Sequence, residues 1–161
     1  MFALRCTKKL LDSIPGKLSE PGPSDTLLGD WYANVHEADP PLILLISERT
    51  LLPIVIPANP INNIVVNLSE QLALVLHNLH VDRKHIMREL QRMTQCEVGR
   101  TVNRRVTRLM SDPMYHLGRA RYDHKLKSLA QISMYLDGFP LKALAFCTAG
   151  EVTRELFAAA H

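Results

Sequence analysis

The sequence predicts an α+β fold: a small, mostly antiparallel sheet of about five strands from residues 1–58, with helices from residues 59–161 packed on it in a single domain. Three observations carry this. The first third holds short apolar stretches, some alternating and some continuous, punctuated by proline and glycine. From residue 61 onward the apolar period changes from two to between three and four. Hydrophobic residues make up 47% and charged residues 22% of 161, the balance of a chain able to bury one core.

The first strand is "FALRC", residues 2–6, with Phe2, Leu4 and Cys6 on one side and Ala3 and Arg5 on the other. "TKKLLDSI" follows as a short helix with Thr7 in the N-cap position, ended by Pro15-Gly16. "SEPGPSD", 19–25, is a loop. "DWYANVHEA" is a second strand: Trp31, Ala33 and Val35 face the core, and Asp30, Tyr32, Asn34 and His36 face away. On this pattern Trp31 is a core anchor whose indole N–H finds a carbonyl. "LILLISERTLLPIVIP" is a β-hairpin turning through Ser47–Thr50. Ile43 to Ile46 are apolar at every position, so that strand is covered on both faces. Pro53 cannot donate to a ladder, so the returning strand lies at an edge or begins there.

Ile64, Leu68, Leu72, Val75, Leu76 and Leu79 mark a helix of roughly four turns. Asp82 opens a second, with Ile86, Leu90 and Met93 inside and Arg83, Lys84, Arg88 and Arg92 outside. "QCEVGRT" is a short strand rejoining the sheet, and "VNRRVTRLM" is helical with Arg104, Arg105 and Arg108 outward. Residues 111–123 contain a proline and a glycine and fit more than one state. "KLKSLAQISMYLDG" is a helix, and "TAGEVTRELFAAA" is the last, with Thr148 and Glu151 in capping-box spacing.

The net charge of +3 is unevenly distributed. Residues 83–127 hold twelve Lys/Arg and four Asp/Glu, net +8; the rest hold seven and twelve, net −5. Such polarity attracts an anionic partner, with nucleic acid the leading candidate; as a protein–protein interaction module the basic half would instead dock on an acidic partner protein or on the acidic half of a second copy in a homo-oligomer. No apolar run approaches the roughly 20 residues of a membrane span, so no membrane partner is expected. The opening residues place their charges after a very short apolar stretch, the wrong order for a secretory signal, and the expected location is cytoplasmic. Cys6, Cys96 and Cys147 are too few and too far apart for a disulfide framework or zinc site. His77 and His80 lack an evident third ligand, so no metal is expected, and no cofactor motif is present.

The blocks "LRCTKKLL", "LGDWYAN", "ERTLLPIVIPA" and "GRTVNRRV" resemble, in order and spacing across roughly residues 1–110, a bacterial family known as a domain of unknown function. The resemblance implies a prokaryotic cytoplasmic protein and carries no activity, substrate or cofactor.

Each block ends an apolar strand on polar residues. Arg5, Lys8 and Lys9 follow the first strand, and Asp30, Tyr32 and Asn34 line the second. Glu48 and Arg49 cap the hairpin, and Arg100, Asn103, Arg104 and Arg108 stand where the last strand becomes a helix. The basic set with Asn103 is a candidate anion or nucleic-acid site, in which guanidinium forks match a phosphate. Asp30, Tyr32, Asn34 and Glu48 are a candidate polar pocket. Two alternatives stay open: an enzyme acting on a phosphorylated or nucleic-acid substrate through Asp30 or Glu48, with no catalytic residue assignable, and purely structural pairing of Arg5 and Arg100 with Asp30 and Glu48.

Overall fold

A computed structural model describes residues 1–160. Five strands, β1 (Phe2–Cys6), β2 (Trp31–His36), β3 (Leu42–Ser47), β4 (Pro53–Pro57) and β5 (Cys96–Arg100), form one sheet in the order β4-β3-β2-β1-β5. The fold is α+β, and the sheet is mixed. β2–β3 and β3–β4 are antiparallel, while β1 runs parallel to both its neighbours. A tight turn suffices for the hairpin, whereas each parallel neighbour of β1 is reached by a long crossover.

The alternation read from the sequence sorts side chains to two faces. Phe2, Leu4, Cys6, Trp31, Ala33, Ile43, Leu45, Ile54 and Ile56 form the first core, closed by α2 (Ile64–Asn78) and α3 (Arg83–Arg92). The short α1 (Lys8–Leu11) adds Leu10 to the same side. Tyr32, Leu42, Leu44, Ile46 and Val55 form the second core. It is closed by α4 (Arg104–Leu109), α5 (Ser111–Ala120) and α6 (Leu129–Asp137). β3 is thus buried at all six positions, as its unbroken apolar run requires. Each fully buried Leu or Ile contributes roughly 1.5–3 kcal/mol.

The last helix, α7 (Ala149–Ala158), returns to the first core with Ala149 and Phe157. Thr148 caps it by accepting from the Glu151 N–H at 3.1 Å. A buried hydroxyl chain ties it to the hairpin: Thr153 Oγ1 lies 2.9 Å from Thr50 Oγ1, and Ser47 Oγ lies 3.3 Å from Thr50 Oγ1.

β4 is an edge strand, as Pro53 demands. The Val55 N–H points outward and is taken by Ser133 Oγ of α6 at 2.9 Å. At the other edge the Ser19 N–H donates to the Val98 carbonyl at 3.0 Å.

Several local expectations change. The hairpin turn runs over five residues, Glu48 to Leu52, because Leu51 takes a left-handed conformation with φ 61°. Thr7 occupies the N-cap position of α1 without a side-chain capping bond, since its hydroxyl donates to Asn34 Oδ1 at 2.7 Å. The segment 111–123 is mostly helical. Pro113 falls in the first turn of α5, where its missing N–H is not needed. The Trp31 indole N–H meets no carbonyl: the ring is 0% exposed and Nε1 is buried without a partner, because apolar side chains surround it. That orphan donor costs about 1–3 kcal/mol, offset by burial of the ring.

Candidate functional site

The polar ends of the four blocks fall in two places: Asp30, Glu48 and Arg49 stand where β2 begins and β3 ends, and Lys8, Lys9 and Arg100 stand at the carboxyl ends of β1 and β5. Arg5 is paired in register with Tyr32 on one side and Gly99 on the other, so Arg5 and Tyr32 share the second face. Asp30 sits just before β2, its side chain buried beside Arg5. Its Oδ1 accepts from the Ala3 N–H at 3.0 Å, and its Oδ2 is 3.4 Å from Arg5 Nε. Arg5 Nη1 also reaches the Arg100 carbonyl at 3.4 Å. Arg5 and Asp30 therefore tie β1 to its neighbours, the structural pairing that the sequence allows. Arg100 does not pair with Glu48.

Tyr32 is 0% exposed, and its hydroxyl accepts from the Asn103 N–H at 3.1 Å. Burial raises the phenol's pKa, the Asn103 bond opposes that, and the Glu48 charge adds to it. Asn103 caps α4, its Oδ1 accepting from Arg105 N at 3.0 Å and Val106 N at 3.3 Å. Asn34 Oδ1 accepts from the Thr7 hydroxyl and from Val35 N at 2.9 Å. Arg49 donates through Nη1 to the carbonyls of Thr26 at 3.0 Å and Leu27 at 3.1 Å. Its stem crosses Gly29 (φ +78°), where an added Cβ would meet Arg49 Cγ at 3.1 Å. Lys9 pairs with Glu37 at 3.2 Å on the exposed surface.

The candidate residues thus divide. Asp30, Tyr32, Asn34, Arg49 and Asn103 are committed to the fold, so they do not form an open polar pocket. Glu48 donates its N–H to the Asp30 carbonyl at 2.9 Å and keeps its carboxylate beside Gly29. Lys8, Arg100, Arg104 and Arg108 are exposed, and none forms a salt bridge among the described residues.

The basic helices α3 and α4 do not line one surface. Ile86 of α3 enters the first core and Val106 of α4 the second, so the two helices stand on opposite faces of the sheet. α3 also spends Arg92, whose Nη1 donates to the Asp25 carbonyl at 3.3 Å. In sequence, residues 104–127 hold seven Lys/Arg and two Asp/Glu, and within that stretch Tyr115 and Tyr122 are 63% and 70% exposed.

Sequence reasoning passed over two buried carboxylates. Glu89, 1% exposed, accepts the Leu27 N–H at 2.9 Å and the Leu28 N–H at 3.1 Å; burial raises its pKa and these bonds oppose the rise. Its spacing, three after Ile86, placed it on the inner stripe. Asp137 accepts the Gly150 N–H at 2.5 Å near the start of α7, and burial likewise raises its pKa. Burial also pushes the Cys6 thiol up to about 12 and the Cys96 thiol up to about 11, which leaves both protonated and unreactive at neutral pH.

No helix among the described residues is long and apolar enough to cross a membrane. No curated protein and no solved structure matches the chain. A protein-family model described as "Domain of unknown function (DUF6933)" matches residues 3–148, a span that takes in all of the candidate site residues and, Phe2 aside, the five strands. That match, over most of the chain, places it in the DUF6933 family.

Proposed function

We propose that the protein binds single-stranded nucleic acid through the outer surface of α4, α5 and the segment that follows. The supporting observation is the company the exposed cations keep. Arg104 and Arg108 stand one turn apart on α4, and Tyr115 and Arg119 one turn apart on α5. Tyr122 follows, with the Arg121 guanidinium 5.7 Å from its ring centre. Cations engage phosphates and release counterions, while exposed phenol rings give bases a stacking surface that does not depend on sequence. Asp112 and Asp123 are the only acids in this stretch of sequence. The enzyme reading is weakened because both oxygens of Asp30 are used within the fold.

Fluorescence anisotropy with a labelled single-stranded oligonucleotide tests this. Binding is expected to weaken linearly in log–log salt. The double variant Arg104→Ala/Arg108→Ala is expected to lose about tenfold in affinity and to reduce the salt slope by about one to two. Light scattering at low and high salt separates this reading from a homo-oligomer. No binding at low salt, or binding that this variant leaves unchanged, refutes it.

A further inference from the structure

β1 and β5 are adjacent and parallel, and Cys6 and Arg100 are paired at their carboxyl ends. The chain leaving β1 passes through Thr7 into α1, on the first face of the sheet. The chain leaving β5 passes through Thr101 to Asn103 into α4, on the second face. Adjacent parallel strands whose connections part to opposite faces leave a crevice beyond their carboxyl ends, and such a switch point is where ligands of open α/β sheets bind.

The crevice is present here as two cavities that share Leu18 and Arg100, of about 540 and 570 Å³. The first is lined by Lys8, Asp12, Arg100 and Thr101 against an apolar wall of Leu11 and Ile14. The second is lined by Arg5, Ser19, Glu20 and Val102, with Pro21 closing over Gly99. Lys8 and Arg100 are exposed cations without a salt bridge among the described residues.

We propose that this crevice binds a small phosphomonoester whose body carries hydroxyl groups, with the phosphate held between Lys8 and Arg100. A guanidinium fork and an ammonium on the lining of one cavity match a compact dianion. Thr101 adds a hydroxyl to that lining. The carboxylates Asp12 and Glu20 stand on the same walls, where they oppose a polyanion but accept hydrogen bonds from hydroxyl groups. Leu11, Ile14 and Leu18 cover the carbon skeleton. Cys6 contributes only wall, because its buried thiol stays protonated. Binding here shares no residue with the oligonucleotide surface on α4 and α5, so the two proposals fail independently.

Isothermal titration of the full chain with ribose 5-phosphate, AMP and inorganic phosphate is the test. Saturable binding of the two phosphomonoesters is expected, tighter than that of inorganic phosphate. Arg100→Ala and Lys8→Ala should each weaken ribose 5-phosphate by at least about tenfold, since each removes a charge-assisted contact. Asp12→Asn should weaken ribose 5-phosphate while inorganic phosphate binds at least as tightly as before, since the variant removes a like charge. Both cations are exposed, so the melting temperatures should stay at the parent value; if one variant fails to fold, the other still reads the site. Inorganic phosphate binding as tightly as ribose 5-phosphate would overturn the hydroxyl-bearing ligand. Absence of saturation at millimolar concentration, or affinities untouched by both cation variants, would overturn the site.

Discussion

His36 illustrates how a single proton enters the fold. Its Nδ1 lies 2.7 Å from Arg121 Nη1, and a guanidinium can only donate, so that nitrogen carries no proton. Arg121 also donates to the Pro40 carbonyl. Burial first, then the charges of Arg121 and Lys9, hold the imidazole pKa below its usual 6.5. The unfolded chain takes up this proton near 6.5 and the folded chain only at lower pH, so the unfolded state binds more protons between the two values. The contribution to stability is fully present above 6.5 and is lost as pH falls through the folded value. An NMR titration of the His36 ring should give a midpoint below 6.5; a midpoint at or above it would contradict the Arg121 bond. Trp31 teaches a different lesson at this scale. Alternation placed its ring in the core, but the fate of its N–H depends on which side chains of the first core surround it, and strand period does not record that.

Elements were legible where one period ran long. α2 spans Ile64–Asn78, within a residue of its apolar stripe, and α7 begins after the expected Thr148 cap. The parallel pairing of β1 was not legible, because strand direction is set by the crossovers and not by the residues of the strand. The two faces of α3 were half legible: its apolar stripe was read and its buried Glu89 was not. That carboxylate clips α3 to the chain entering β2, so Glu89→Ala should destabilise the protein by about 1–3 kcal/mol in urea denaturation, the cost of stranding two backbone donors. A change within error would show that water reaches both amides. α7 fits its neighbours as tightly: a Cβ on Gly150 would lie 2.1 Å from Asp137 Oδ2 and 2.8 Å from Leu79 Cδ2.

At the scale of the molecule, the site was legible in its members and not in its roles. Arg5, Asp30, Tyr32 and Glu48 are neighbours, yet Arg5, Asp30 and Tyr32 spend their polar atoms on one another or on nearby backbone, and the open cations of the set are Lys8, Arg100, Arg104 and Arg108. A count of charges along the chain could not show that a sheet separates α3 from α4. The family match ends at residue 148, just before α7, but the structure has no seam there. Phe157 is 2% exposed in the first core and Thr153 is bonded to Thr50. A chain stopped at residue 148 should therefore lose at least about 3–5 kcal/mol, the scale of emptying a buried phenylalanine site, and melt without a cooperative transition in calorimetry. A truncated chain that melted sharply at the parent temperature would make α7 an appendage.

The outward-facing backbone of β4 has a consequence for how copies of this protein meet. Since Val55 points its amide away from β3, the alternation of a strand sends positions 53 and 57 the same way, and both are proline. Ser133 occupies the one remaining donor. That rim offers an incoming strand no free N–H to accept from, which blunts this edge against strand addition. Self-association of folded copies is thereby directed to the helical layers and away from sheet extension at this edge.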